Sequence, residues 1–277
     1  EAYGEYSTQA SAAALLPPRL LVLSGGEAEL DGLRAEPGVE AVLSPGDTTL
    51  PATLAPEERL FAEAWLARID DPQRALEVQA RKATLMARQG QVDSALASLR
   101  RVPERSPGDA RAKLVAEAQL LREIKRWQAA FDTYVQANQR FPDDVDLLYE
   151  QAMVAEKIDR LDEMERLLRR VIALKPDHHH AYNALGYSLA DRNVRLPEAK
   201  ELIERALKLA PGESFIVDSM GWVEFRLGNL PEAARLLRQA HASRPDAEIA
   251  AHLGEVLWAS GAQDEARRVF AEGLQRE

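Results

Sequence analysis

Residues 181–187 read Ala-Tyr-Asn-Ala-Leu-Gly-Tyr, and residues 218–222 read Asp-Ser-Met-Gly-Trp. The glycines of these two stretches lie 35 positions apart, and each is followed 24 or 25 positions later by a proline. Similarity at a fixed period is typical of a repeat architecture, in which each segment buries its apolar face against the next. The extent of the repeat therefore decides the fold.

Prolines carry the same period over most of the chain. They lie 34 or 35 residues apart, at Pro72, Pro107, Pro142, Pro176, Pro211 and Pro245. A second series lies twelve residues before each later proline and continues beyond the last, at Ala95, Ala130, Met164, Ala199, Ala233 and Ala266. Because both series keep one phase, they indicate six repeats, at 73–107, 108–142, 143–176, 177–211, 212–245 and 246–277.

Each repeat is predicted to hold two helices, because apolar residues recur three and four positions apart in stretches such as 110–125 and 129–140. Between the helices, Gly90, Gly228 and Gly261 have the place of a residue that ends a helix in the left-handed conformation. Prolines close the second helix, since the residue before a proline avoids the α region. Small residues midway along the first helices predict close helix crossings, at Ala83, Ala118, Ala152, Gly186, Gly221 and Gly254.

This pattern of two helices, a small residue in each and a closing proline resembles the tetratricopeptide repeat. The resemblance implies an all-α fold, a right-handed α-solenoid whose first helices line a concave face. Segments 183–192, 218–223 and 250–258 further resemble the C-terminal part of Gram-negative outer-membrane tetratricopeptide lipoproteins. That group implies a periplasmic adaptor that binds a carboxyl-terminal processing protease and helps deliver cell-wall hydrolases to it. The sequence lacks the lipidated cysteine of such an anchor, so a cytoplasmic location is the alternative.

Residues 1–55 do not follow the repeat. Strands are predicted at 19–23 and 39–43, with short helices at 2–16 and 27–34, so this N-terminal appendage is a small α/β unit with parallel strands. A turn-rich linker follows, and residues 56–72 are predicted to hold a lone helix that belongs to a partial repeat.

Composition excludes several classes of protein. The 277 residues include 35 Lys and Arg against 45 Asp and Glu, a net charge of −10 that disfavours nucleic acid as a partner. Cysteine is absent, which excludes disulfides, thiolate zinc sites and cysteine nucleophiles. No apolar stretch reaches the eighteen residues of a transmembrane helix. Because the chain begins at Glu1 without a leader, we expect a processed or truncated piece.

Three short features invite a catalytic or metal-binding interpretation. Residues 24–26, Ser-Gly-Gly, lack the partners of a phosphate-binding loop and predict a plain turn. Residues 178–180 are three histidines, which predict a loop entering a helix, with adventitious metal binding as the alternative. Ser188 lies within a predicted helix rather than on a nucleophile elbow. We therefore expect no enzyme activity, no cofactor and no metal site.

The predicted binding groove follows the first helices beside their packing stripe. Its residues are Tyr149, Met153, Asn183, Tyr187, Phe215, Asp218, Trp222, Phe225, His252 and Trp258. Clustered aromatic side chains there serve either as anchors for a partner or as packing between neighbouring first helices, and the sequence leaves both open. Carboxylates at Glu150, Asp218, Glu248 and Glu255 favour an apolar or basic partner segment over an acidic one.

The sequence thus favours a non-enzymatic scaffold that binds a partner protein or peptide. One alternative is self-assembly into a homo-oligomer through the last repeat, because Val269, Phe270 and Leu274 lie on its final helix with nothing predicted to cover them. Another is that the repeats are the targeting half of a larger enzyme, such as a glycosyltransferase.

Overall fold

A computed structural model describes residues 75–275 and, before them, two short strands, β1 (Leu20–Val22) and β2 (Ala41–Leu43). The strands pair in parallel, with Leu20 opposite Ala41 and Val22 opposite Leu43. The parallel strands predicted in the appendage are thus confirmed over three residues each. The predicted helices 2–16, 27–34 and 56–69, the turn at 24–26 and the linker lie outside the described residues.

Residues 75–275 form twelve helices, which confirms the all-α class predicted for the repeats. The helices are α1 (Ala75–Arg88), α2 (Val92–Arg100), α3 (Pro107–Glu123), α4 (Trp127–Arg140), α5 (Val145–Lys157), α6 (Leu161–Leu174), α7 (His179–Asp191), α8 (Leu196–Leu209), α9 (Ser214–Arg226), α10 (Leu230–Ser243), α11 (Ala247–Ala259) and α12 (Gln263–Leu274). They fall into two compact units, residues 1–137 and 138–277.

The first unit holds α1 to α3 and most of α4. Ala83 and Ala118, at the predicted small-residue positions, are fully buried. Arg100 of α2 forms an ion pair with the buried carboxylate of Glu117 on α3. Pro107 does not close a second helix as predicted, because it opens α3 behind the N-cap Ser106. The first turn tolerates proline since its missing N–H has no intrahelical partner there.

Turns between paired helices follow the predicted glycine chemistry. Gly90, Gly228 and Gly261 have φ values of +83°, +83° and +82° at the ends of α1, α9 and α11. At the corresponding ends of α3 and α5 the left-handed residues are Lys125 and Asp159, both with φ of 58°. The same kind of turn is therefore formed by glycine in some repeats and by a residue with a side chain in others.

In the second unit, α7 and α8 cross at a point where a side chain has no room. A Cβ placed on Gly186 would lie 2.6 Å from Ile203 Cγ1 and 2.9 Å from the backbone oxygen of Ala199. A Cβ on Gly254 of α11 would instead meet the ring of Phe270 at 2.4 Å, and that ring is 37% exposed. The small residues predicted at helix crossings thus permit the close approach of paired helices.

We expect Gly186→Ala to lower the free energy of unfolding by about 1–3 kcal/mol, because a backbone oxygen cannot rotate away from the new methyl group. Gly254→Ala is the matched control and is expected to cost less stability. The exposed ring of Phe270 can move away from the new methyl group, and alanine is more favourable than glycine within a helix by about 1 kcal/mol. Urea unfolding followed by circular dichroism measures both changes. Equal losses in the two variants would show that the rigidity of the facing atom does not matter.

Candidate functional site

A cleft of about 480 Å³ lies in the second unit, among the first helices α5, α7 and α9 and the start of α11. This volume is in the range of clefts that bind small molecules or peptide side chains. Its lining includes Tyr149, Met153, Asn183, Tyr187, Phe215 and Asp218, six of the ten predicted groove residues. Six of the groove residues predicted from helical spacing therefore lie together in one cleft of the surface.

Trp222 and Phe225 are not among the residues that line this cleft. Trp222 is only 5% exposed; its ring stacks on His252 at a centroid distance of 4.4 Å and lies 5.3 Å from Phe225. Phe225 packs against the cluster of buried residues formed by α10, α11 and α12. The interpretation of Trp222 as an exposed anchor is therefore wrong, and its alternative, packing between neighbouring helices, describes it. Helix α9 contacts α7, α8, α10 and α11, which leave the side of α9 that carries Trp222 covered.

The remaining two predicted residues differ in exposure. His252 of α11 is 8% exposed and lies behind the cleft, in contact with Tyr187 and Asp218. Trp258, at the far end of α11, is 47% exposed and carries the guanidinium of Arg267 5.5 Å above its ring. Trp258 therefore lies on the surface outside the cleft.

A chain of polar contacts joins α7, α9 and α11. His252 Nδ1 lies 3.0 Å from both carboxylate oxygens of Asp218, and His252 Nε2 lies 3.2 Å from the hydroxyl of Tyr187. The Tyr187 hydroxyl also lies 3.4 Å from Glu248 Oε1. The contacts link the three helices side by side, with one member each from α7 and α9 and two from α11.

Charge and burial shift the ionisation of this chain. Burial acts most strongly on His252 and lowers its pKa, but the hydrogen bond and charge of Asp218, with Glu248 and Glu255, raise the pKa above its ordinary value overall. Burial raises the pKa of the Tyr187 phenol, and the charges of Glu248, Asp191 and Asp218 raise it further. Tyr187 is therefore neutral at physiological pH.

The three histidines at 178–180 lie where a loop enters a helix, as predicted. His178 is the N-cap of α7, and its Nδ1 accepts a hydrogen bond of 3.2 Å from the backbone N–H of Ala181. His180 stacks on Phe215 at 5.5 Å, and His178 lies 5.0 Å from the ring of Tyr149. Burial lowers the pKa of His178 and of His180, which favours neutral rings. Within residues 75–275, no three His, Asp or Glu side chains are placed to hold a metal ion.

Ion pairs occur on both sets of helices, and on the first helices they include Arg88 with Glu123 at 2.6 Å and Lys157 with Glu156 at 3.1 Å. On the second helices, carboxylates pair with arginines, as in Glu165 with Arg169 at 2.9 Å, Glu232 with Arg235 at 2.6 Å and Glu265 with Arg238 at 2.8 Å. In the cleft, Asp191 and Glu248 form no ion pair with any residue of the described chain. The cleft is lined by Glu156, Asp191, Asp218, Asp246 and Glu248 together with Lys157, Arg192 and Arg244, so its carboxylates outnumber its lysine and arginine side chains.

Asp191 was not among the predicted groove residues. It is the last residue of α7 and lies four positions after Tyr187, so it falls on the same helical stripe. Continuing the spacing of Asn183 and Tyr187 by one more turn would have identified it. Leu161 and Met164 of α6 also line the cleft, and no stripe on a first helix could have indicated them.

Comparison with known proteins identifies the class. Residues 149–214 and 219–276 match the tetratricopeptide repeat family, and these parts of the chain are tetratricopeptide repeats. A fold of this class is a scaffold for protein–protein interaction. No helix among the described residues has the length and apolar character needed to cross a membrane.

One relative is TPR repeat-containing protein PA4667 of Pseudomonas aeruginosa, 43% identical over 180 residues. The match covers 65% of this chain but only 30% of the relative, so the chain spans less than a third of that protein. Among solved structures, a tetratricopeptide repeat protein of Parabacteroides merdae has a TM-score of 0.60 at 15% identity, covering 74% of this chain and 80% of its own. A thermophilic tetratricopeptide repeat protein of Thermus thermophilus has a TM-score of 0.55 at 23% identity, covering 60% and 91%. These two structures support the fold alone.

Proposed function

We propose that this protein is a non-enzymatic adaptor that binds a segment of a partner protein in the cleft between α5, α7, α9 and α11. The cleft itself is the observation that supports this proposal. Its walls come from four successive helix pairs, so the side chains that line it are held by the packing of the whole second unit. A partner segment can then bind without ordering the site first, which favours affinity.

We further propose that the partner is a carboxyl-terminal processing protease and that the adaptor brings cell-wall hydrolases to it at the periplasmic face of an outer membrane. The support is the resemblance of segments 183–192, 218–223 and 250–258 to Gram-negative tetratricopeptide lipoproteins. The location rests on the same resemblance.

Capture from a Gram-negative envelope extract tests both proposals. The immobilised 277-residue chain is compared with Tyr149→Ala/Phe215→Ala, which removes two partly exposed rings from the cleft. We expect the variant to retain about a tenth or less of the bound partner, since truncating an anchor typically weakens binding by more than 1 kcal/mol. Mass spectrometry of the bound proteins identifies the partner.

The matched control is Leu227→Ala/Leu274→Ala, which truncates two exposed apolar side chains outside the cleft. Loss of a processing protease or hydrolase from the cleft variant alone supports both proposals. Loss of other proteins alone supports the cleft and contradicts the protease. Equal binding to all three forms contradicts the cleft as the interface.

Self-association through the last helix pair is a second candidate function. Phe270 is 37% and Leu274 72% exposed on α12, although Val269 is buried beneath them. Analytical ultracentrifugation over a hundredfold range of concentration, with Leu274→Glu as the comparison, tests this candidate. A monomer at the highest concentration contradicts it.

A further inference from the structure

The imidazole of His252 is held in one orientation behind the cleft. Its Nδ1 lies 3.0 Å from both carboxylate oxygens of Asp218, its ring stacks on Trp222 at 4.4 Å, and the residue is only 8% exposed. Its Nε2 lies 3.2 Å from the Tyr187 hydroxyl. Because a carboxylate only accepts hydrogen bonds, Nδ1 carries a proton in the neutral ring as well as in the charged ring. A change in the charge of His252 therefore takes place at Nε2.

The Tyr187 hydroxyl has one proton and two neighbouring acceptors. Its oxygen lies 3.2 Å from His252 Nε2 and 3.4 Å from Glu248 Oε1. Both distances are longer than the roughly 2.7–2.8 Å that is typical of a hydroxyl donor. Burial and the charges of nearby carboxylates raise the pKa of this phenol, so it keeps its proton at physiological pH. The hydroxyl can therefore close on either acceptor, but on only one at a time.

The charge of His252 decides which acceptor receives that proton. In the neutral ring, the lone pair on Nε2 accepts from the Tyr187 hydroxyl, so Glu248 loses that donor. In the charged ring, Nε2–H donates to the phenol oxygen, and the hydroxyl proton turns to Glu248 Oε1. Tyr187, Asp218 and Glu248 all line the cleft. One proton bound behind the cleft thus changes the hydrogen-bonding groups on its wall.

We propose that Asp218, His252, Tyr187 and Glu248 form a proton-controlled switch in the cleft. Below the pH at which His252 loses its proton, the Tyr187 hydroxyl is engaged with Glu248. Above that pH, the proton leaves Nε2 for solvent, the hydroxyl turns to His252, and the Glu248 carboxylate is free to accept from a partner. The switch itself needs no partner, whereas its effect on binding rests on the proposed function.

The charges around His252 set the pH at which the switch acts. Burial lowers the pKa of the ring, but the hydrogen bond and charge of Asp218, with the charges of Glu248 and Glu255, raise it above the ordinary value of about 6.5. From α7, the group that faces the ring is Tyr187. Other charged side chains on α9, α10 and α12 are engaged elsewhere: Arg226 with the Trp222 ring and the end of α7, Glu224 with Lys200, Glu232 with Arg235, Arg238 with Glu265, and Asp264 with Arg267.

Nuclear magnetic resonance of the selectively labelled 277-residue chain tests the switch without a partner. With ¹⁵N-histidine, we expect His252 Nδ1 to stay protonated between about pH 5.5 and pH 9, while Nε2 loses its proton with a midpoint above about 6.5. With ¹³Cζ-tyrosine, the Tyr187 signal is expected to shift with the same midpoint, because its hydroxyl changes acceptor. Tyr182 on the same helix is not among the residues that line the cleft, and its signal is expected to show no change at that midpoint.

Substitutions at Glu248 separate its hydrogen bond from its charge. Glu248→Gln keeps an acceptor for the Tyr187 hydroxyl, whereas Glu248→Ala removes it. Alanine is therefore expected to weaken proton binding by His252 about threefold or more beyond glutamine, as for the loss of one hydrogen bond. Glu255 is the matched control, because it acts on His252 through charge, and its alanine and glutamine variants are expected to weaken proton binding equally.

Three results would each overturn the switch. They are loss of the Nδ1 proton in the neutral ring of His252, a Tyr187 signal that does not follow the titration, and equal effects of alanine and glutamine at Glu248. The proposed function fails separately, when Tyr149→Ala/Phe215→Ala keeps its cellular partner in the capture experiment.

Discussion

Trp222→Ala is expected to lower the free energy of unfolding by about 3–5 kcal/mol, the largest effect among the changes considered. The indole is 5% exposed, stacks on His252 at 4.4 Å and carries the guanidinium of Arg226 5.4 Å from its ring. Arg226 in turn donates from Nε to the backbone oxygen of Ala190 at the end of α7. Removing the indole therefore leaves a cavity and loosens the contact between α7 and α9.

Trp258→Ala is the matched control, because Trp258 is the same residue type on a first helix but is 47% exposed. Its loss is expected to change stability by less than about 1 kcal/mol. Urea unfolding followed by far-ultraviolet circular dichroism measures both variants. A loss of stability in Trp222→Ala no greater than that in Trp258→Ala would contradict the burial of the indole and favour its role as an exposed anchor.

At about pH 6, where the folded protein favours the protonated ring of His252, Asp218→Ala is expected to lower the free energy of unfolding by about 1–3 kcal/mol, because it leaves a buried imidazole N–H without its acceptor. Both members are buried: the side chain of Asp218 is 7% exposed and that of His252 is 10% exposed. Asp264→Ala breaks an ion pair with Arg267 in which the carboxylate is 96% exposed, and it is expected to change stability by at most about 1 kcal/mol. Similar losses in the two variants would contradict the role of burial.

The pH dependence of this pair has a definite sign. The folded protein raises the pKa of His252 above its unfolded value of about 6.5, so folding favours the protonated ring. The stability that the pair contributes is complete below about pH 6.5 and is lost as the pH rises through the raised pKa. Besides Asp218, the groups that face the ring are Tyr187, Glu248 and Glu255.

Comparing wild type with His252→Gln between about pH 6 and pH 9 isolates this contribution. The wild type is expected to lose stability with rising pH, and the difference between the two proteins is expected to shrink over the same range. A difference that grows with rising pH would mean that the folded protein holds His252 neutral.

The proposed function depends on charged side chains that line the cleft. Arginines on α6, α10 and neighbouring second helices are held by carboxylates three or four positions away, whereas Asp191 and Glu248 remain available in the cleft. Such a surface gives a partner both an apolar contact and a charge to recognise. Complementary charge contributes specificity and association rate more than bulk affinity.

The sequence by itself determined the all-α class of the repeats and the small residues at their helix crossings. These features depend on local periodicity and on the space that one residue occupies, as at Gly186, and both can be read along the chain. It also indicated six residues of the cleft, since helical spacing places Asn183 and Tyr187 on one face.

Only the tertiary structure decided which members of the aromatic stripe are covered. Trp222 is buried because α9 is packed between α7, α8, α10 and α11, whereas Trp258, near the end of α11, is 47% exposed. The contact of His252 with Asp218, 34 positions apart, likewise depends on the distance between two helices. Burial and pairing arise from neighbours distant in the sequence, so helical spacing within one helix cannot predict them.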